Sequence, residues 1–375
     1  MSLHFFSAVL IPFFLEYGKI TFTQIMLIQS WFTFWAFALE IPTGAVADYL
    51  GRKTSLISGA VCNGIGALVY ISHPHILVFL FAEFMWAMGL ALMSGSDDAI
   101  VYDSLKKFKK EHRSKKIFAN ISSYHILAIS VGAPIGSLIA GFFGVKWAMG
   151  MMIVPFTIAA VIGLTLKEPK AKRKVESKRY LNILVGGAGY LKNHKILRLL
   201  ALDSALVAAL AFFIVWIYQL KLTELGIPIA FFGFVHAGIA GSQILVMQNF
   251  AKLERLFKGK KRYLLWSALI AGVFFIIAGF SDNAVVAIIS ILIIAAFGMS
   301  RERLFASYMN KYIESHNRAT VISSIRMLKT LFRALIYPII GILVEFSLMY
   351  AFVGLGLVLM IIAIFSKVKE EHLLD

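Results

Sequence analysis

Glu40-Ile-Pro-Thr-Gly-Ala-Val-Ala-Asp-Tyr-Leu-Gly-Arg-Lys53 sits where one long apolar run ends and the next begins. An acid, Asp48, is separated from a basic pair, Arg52 and Lys53, by a tight turn containing Gly51. The flanking runs are about 20 residues long, enough for an α-helix to cross about 30 Å of hydrocarbon. The stretch therefore reads as a charged loop between two membrane spans.

Composition agrees. Of 375 residues, 59% are hydrophobic, 14% aromatic and only 15% charged, where a soluble domain carries about a quarter charged. Mean hydropathy is +0.81. The strand alternation of an outer-membrane barrel is missing, so helices are expected. Twelve candidate spans are read at roughly 3–17, 22–47, 54–72, 75–104, 117–143, 146–166, 196–220, 227–252, 263–281, 284–310, 319–345 and 347–366. Cys62, the single cysteine, lies in an apolar run and can form no intrachain disulfide. The first span lacks the basic n-region and cleavage site of a signal peptide.

The formal charge of +17 invites a nucleic-acid reading. The placement of the charge argues otherwise. Thirty-one of the 37 Lys and Arg fall in loops on one face, Lys19, Lys146 and Lys221 fall on the other, and three lie inside the eleventh span. By the positive-inside rule both termini are cytoplasmic and the chain is a multi-pass plasma- or inner-membrane protein. The basic loops can also hold anionic lipid headgroups.

The longest loop, 167–195, begins with the charge run Lys167-Glu-Pro-Lys-Ala-Lys-Arg-Lys174. Tyr180, Leu181, Leu184 and Leu191 follow among polar residues, the pattern of an interfacial helix, although Gly186, Gly187 and Gly189 weaken it. This loop divides the chain into an N-terminal bundle (1–166), a linker (167–195) and a C-terminal bundle (196–375). Repeated features at an offset of about 200–208 residues support two related halves: Ile121-Ser-Ser123 with Ile322-Ser-Ser324, Pro134 with Pro338, and Gly18 with Gly226. Glu254-Arg-Leu-Phe-Lys-Gly-Lys-Lys-Arg262 is a degenerate echo of the opening stretch.

The spacing Gly44-x-x-x-Asp48-x-x-Gly51-Arg52-Lys53 resembles the signature loop of the major facilitator superfamily of secondary transporters. With the repeat, the resemblance covers essentially the whole chain. It implies an all-α membrane protein of twelve transmembrane helices, two six-helix bundles related by a pseudo-two-fold, working by alternating access. Ser94-Gly-Ser-Asp97-Asp98-Ala-Ile-Val-Tyr102-Asp103-Ser-Leu105 resembles a stretch of drug-efflux-like branches. By that likeness Arg52 pairs with an acid here, and Asp103 and Asp97 are the choices. Asp48 is expected against the positive N-terminal end of the eleventh span. Together Gly44, Asp48, Gly51, Arg52, Lys53, Asp97 and Asp103 are the expected conformational latch. A plain turn cap is the simpler alternative. Gly132-Ala-Pro134-Ile-Gly136 departs from the glycine–proline pattern of antiporter branches, but its small residues permit close helix contact, and Pro134 and Pro338 read as kinks.

Ionisable groups inside spans are costly and face a cavity or a partner. Arg326, Lys329 and Arg333 share one helix face at i, i+3, i+7. Three cations there suit an anionic substrate group, or else an interhelical ion-pair network with Glu83 and Asp203 as partners. Glu83 in the fourth span and Asp203 in the seventh are the proton-coupling candidates, because a carboxylate in a low-dielectric cavity can load and release a proton near neutral pH. A permanently paired carboxylate is the alternative. His125 and His236 are lone histidines and read as buried, hydrogen-bonded rings.

No Walker loop, Gly-x-Ser-x-Gly, His-Glu-x-x-His or cysteine cluster is present, so no enzyme is expected. His73-Pro-His75 is too short for a metal site. No cofactor and no nucleic-acid partner are expected; small-molecule substrate, protons and membrane lipids are the expected partners of a monomer. The leading expectation is proton-coupled export of a drug-like or amphipathic compound. The alternatives are uptake or exchange of an anionic metabolite, and a non-transporting receptor or scaffold with a transporter fold.

Overall fold

The computed structural model describes residues 3–169, 189–314 and 318–374. The expected linker falls largely on 170–188, outside the described residues. The chain divides into two compact units, one formed by residues 1–180 with Ile229–Gly233, the other by residues 181–228 with 234–375.

In the first unit, a single α-turn at Leu10–Pro12 and a π-helical turn at Phe13–Tyr17 precede α1 (Phe22–Ala38), α2 (Glu40–Leu50), α3 (Arg52–Ser72) and α4 (Ile76–Met93). Then come α5 (Ser96–Lys107), α6 (Ser114–Phe143), α7 (Val145–Gly150) and α8 (Ile153–Thr165). Thr21 and Gln24 form a reciprocal capping box that starts α1. The second unit holds α9 (Lys195–Phe212), α10 (Ile214–Glu224), α11 (Phe232–Gln248, in this unit from Phe234), α12 (Phe250–Leu256) and α13 (Lys260–Phe280). It continues with α14 (Ala284–Ile294), a π-helical segment at Ala295–Met299, α15 (Arg301–Asn310), α16 (Arg318–Phe346) and α17 (Leu348–Ile364).

The architecture is all-α and multi-pass, but the expected count of twelve spans, six in each bundle, is corrected. Among the described residues, nine helices are long and apolar enough to cross a membrane, ten if one bent pair counts as a single span. The causes are local. Pro42 has no N–H for the carbonyl of Ala38 and its ring crowds that carbonyl, so α1 ends and α2 leaves at 47°. The expected first span is interrupted: turns lead into Leu10–Pro12, and the backbone then widens into the π turn that ends at Gly18. The last helix, α17, has only 17 residues.

Close helix contact in each unit depends on facing glycines. A Cβ built on Gly59 of α3 would stand 2.8 Å from the Gly89 carbonyl oxygen of α4, and one on Gly356 of α17 would stand 2.5 Å from that of Gly272 in α13. Both helix pairs therefore approach backbone to backbone, with small residues where apolar lipid gives no hydrophobic drive. Gly356→Ala is expected to destabilise the protein by about 1–3 kcal/mol through overpacking, read as a lower unfolding temperature in detergent.

Candidate functional site

The signature stretch is built around Gly51. Its φ of 103° lies in the left-handed region that favours glycine, and it reverses the chain between α2 and α3. The Arg52 guanidinium, now at the first position of α3, meets the carboxylate of Asp103 on α5 in an ion pair. Asp97 lies elsewhere: it is exposed and its Oδ1 accepts from the backbone N–H of Asp98 at 2.8 Å. Of the two acids open to the sequence, the structure brings Asp103 to Arg52. Asp48 lies in the first unit and the start of the eleventh span in the second. Beyond the backbone of its own helix, no atom of the described residues lies within 4 Å of a Cβ built on Gly44.

A further part of this loop was not foreseen. The backbone N–H groups of Arg52 and Lys53 donate to the two carboxylate oxygens of Glu168, at 3.0 and 3.2 Å, and Lys53 Nζ donates to the Leu164 carbonyl at 2.6 Å. Glu168 thus supplies the acceptor that the first helical N–H groups lack, and its charge suits the helix N-terminus. The second unit repeats the device. Gly259 has φ 141°, the N–H groups of Lys260 and Lys261 donate to Glu370 at 2.8 Å each, and Lys260 Nζ donates to the Leu373 carbonyl at 2.8 Å. The sequence signal was a glutamate just after the last span of each half, Glu168 within the charge run 167–174 and Glu370 in the C-terminal tail.

Glu83 on α4 is 3% exposed and accepts from Gln29 Nε2 of α1 at 2.8 Å. The hydroxyl of Tyr70, fully buried, faces the same carboxylate. No Lys or Arg pairs with Glu83 among the described residues.

In the second unit the in-span charges sort into two groups. Asp203 of α9 pairs with Arg301 Nη2 of α15 at 3.2 Å and accepts from the Ser366 hydroxyl. Arg301 Nη1 also donates to the Leu264 carbonyl and to Ser267 Oγ, the latter at 2.7 Å. The side chains of this pair are only 3% and 7% exposed. Asp203 is therefore the partner of Arg301 and not of the eleventh-span cations. Asp203→Asn leaves a buried guanidinium without its counter-charge, and is expected to cost about 3–5 kcal/mol, read by thermal unfolding.

The second group contains two of the three expected cations. Lys329 of α16, 5% exposed, donates to Ser204 Oγ at 2.8 Å and reaches Glu302 Oε1 at 3.4 Å. Arg333 Nη2 stands 3.8 Å from Glu302 Oε2, its guanidinium 4.7 Å from the Phe212 ring centroid. Arg326 is exposed on the same helix. Two cations one turn apart thus converge on one carboxylate. The supporting helices are interrupted here: α9 stops at Phe212, and the π-helical segment ends just before Arg301 and Glu302. Such breaks mark functional segments of membrane helices. Sequence reading missed Ser204 and Glu302, and assigned Arg301 to a loop although it lies within the tenth expected span. His236 hydrogen-bonds through Nδ1 with the Tyr218 hydroxyl at 3.1 Å, while His125 is exposed on α6.

The chain is thus an all-helical multi-pass membrane protein with buried charge clusters at interrupted helices. The chain belongs to the Major Facilitator Superfamily, whose family description it matches over residues 1–336. It has the fold of that superfamily's transporters. It is 23% identical over 242 residues to the chloramphenicol resistance protein CraA of Acinetobacter baumannii, a match covering 63% of this chain and 56% of that protein's length. A variant of the nucleoside transporter NupG shares the fold with a TM-score of 0.78 at 13% identity, covering 97% of this chain and 95% of that one. An inward-facing, unoccupied bacterial homologue of the human lysosomal transporter Spinster aligns with a TM-score of 0.72 at 14% identity, over 99% and 92% of the two chains.

Proposed function

We propose that the protein takes up or exchanges a small anionic metabolite. The observation that carries this reading is the convergence of Lys329 and Arg333 on the single carboxylate of Glu302, with Lys329 almost completely buried. A buried ammonium is costly and is retained in a span where it meets an anion. The site already holds one carboxylate, which is the chemistry required to hold another. A screen of the purified protein by thermal shift, with organic acids against their neutral amides, tests the reading: stabilisation by an acid and not by its amide supports it, and equal response to both sinks it.

Export of a drug-like compound is the second reading. The 23% identity to a chloramphenicol resistance protein and the stretch Ser94–Leu105 favour it.

In the proposed cycle the halves 1–166 and 196–375 rock about the substrate, joined by 167–195, with both termini cytoplasmic and the protein a monomer. Arg52 and Asp103 form the core of the latch, with Gly44, Asp48, Gly51 and Lys53 shaping its loop and Asp97 at its edge. Their side chains are 32% and 23% exposed, so the pair contributes only about 1 kcal/mol and can break in every cycle. The buried Asp203–Arg301 pair is too costly to break and serves as a fixed strut. Glu83, held by a neutral amide rather than by a cation, is the proton carrier in this account. Glu83→Gln should abolish accumulation driven by a pH gradient in proteoliposomes and leave solute exchange intact; unchanged proton-driven accumulation would remove Glu83 from the coupling.

A further inference from the structure

Arg333 presents an unfilled fork. A guanidinium holds a carboxylate best through two parallel N–H···O bonds. Glu302 engages Arg333 only through Nη2, and loosely, at 3.8 Å. The adjacent Nε is buried and has no hydrogen-bond partner among the described residues. The Arg333 side chain as a whole keeps 23% exposure, and Glu302 keeps 43%. The more accessible member of the cluster is therefore the carboxylate, while the more deeply held member is Lys329, fixed by Ser204. Glu302 is placed to leave, and the cations are placed to stay.

The surroundings of the fork are aromatic. Phe212 covers the guanidinium. One turn further along α16, Tyr337 meets Phe213 edge-on at 5.4 Å and Trp216 at 5.8 Å between ring centroids. The indole N–H of Trp216 is a second buried donor without an acceptor among the described residues. Phe213 and Tyr337 are buried, so the rings left to meet a ligand are Phe212 and Trp216, and aromatic rings favour an edge-to-face or offset partner. A cationic fork beside an aromatic wall fits a molecule with a carboxylate at one end and a ring at the other.

We infer that Glu302 is a built-in stand-in for the substrate carboxylate, and that the substrate class is an aromatic monocarboxylate. This rests on the reading of the chain as an anion carrier. An incoming carboxylate takes Nε and Nη of Arg333 together with Lys329, and Glu302 swings away from the cations. While the site is empty, Glu302 offsets one of the two positive charges, and the charge that remains is what an incoming carboxylate meets. When the site is full, the same carboxylate is the competitor that allows release.

The test uses the full-length protein in detergent with benzoate and benzamide as probes, read by tryptophan fluorescence. Benzoate should bind and benzamide should not. Glu302→Gln should tighten benzoate binding by about tenfold or more, since the competing charged contact is gone. Unchanged or weaker benzoate binding in Glu302→Gln overturns the inference, as does equal binding of benzamide. Because that variant leaves two cations unpaired and can fail to fold, the wild type supplies a second readout. Carbodiimide labelling of Glu302, followed by mass spectrometry and taken relative to the exposed Glu371 because benzoate itself consumes the reagent, should rise with saturating benzoate and not with benzamide; a ratio indifferent to benzoate overturns the inference. Succinate separates the two levels of argument. Binding of succinate with no response to benzoate overturns the aromatic stand-in and leaves the anion carrier standing. Binding of neither acid overturns both.

Discussion

Lys329→Ala should lower transport of the anionic substrate by about 100-fold, the effect of removing one partner from a buried hydrogen-bonded charge pair. Lys329→Arg should keep most of it. The alanine removes the cation that is 5% exposed and fixed to Ser204, and leaves Glu302 facing Arg333 alone. The arginine keeps the charge and offers more donors on a similar stem. The comparison separates an electrostatic role from a packing role, because both variants change the shape of the side chain. Transport assays in proteoliposomes with matched protein amounts give the answer. Equal loss in both variants would mean that shape, and not charge, is what the position supplies.

Arg52→Glu should stop turnover while substrate affinity changes little. The substitution sets two carboxylates against each other where Arg52 and Asp103 now pair. The double variant Arg52→Glu with Asp103→Arg should recover turnover to within about tenfold of wild type, since the pair is restored with its charges exchanged. Arg52→Ala is the milder case, because the partly exposed pair contributes only about 1 kcal/mol and its loss biases the cycle without blocking it. Equilibrium binding and transport must be measured on the same preparations. Parallel loss of both would make this pair part of the fold and not of the cycle.

The charge chemistry of the chain was more legible in its sequence than the partners of those charges. Helical spacing places Lys329 and Arg333 on one face whatever they touch, so their convergence could be anticipated. Periodicity does not say what faces a helix, so Glu302 stayed hidden among the arginines at the end of its span. Asp203 illustrates the same limit. It was visible as a costly acid, but its partner Arg301 was counted with the loop charges. Arg52 was easier, because the family likeness pointed to an acid in the stretch Ser94–Leu105, and of Asp97 and Asp103 it is Asp103 that meets it. The span count failed for a different reason. Hydropathy sums over a break, so Pro42 and the π turn at Phe13–Tyr17 left the apolar runs intact while interrupting the helices. The Glu168 and Glu370 caps depend on the chain returning to the start of an earlier helix, a contact across more than one hundred residues that local pattern does not encode.

The pairing of Lys329 and Arg333 with a carboxylate is the centre of this account, and counterflow in proteoliposomes tests it most directly. Vesicles carrying the wild-type protein are loaded with unlabelled benzoate or succinate and diluted into the labelled acid, with the labelled amides and labelled chloramphenicol in parallel. The account predicts transient accumulation of at least one acid, none of its amide, and loss of that signal in Lys329→Ala. Accumulation of chloramphenicol with no movement of either acid would contradict it and return the protein to drug export.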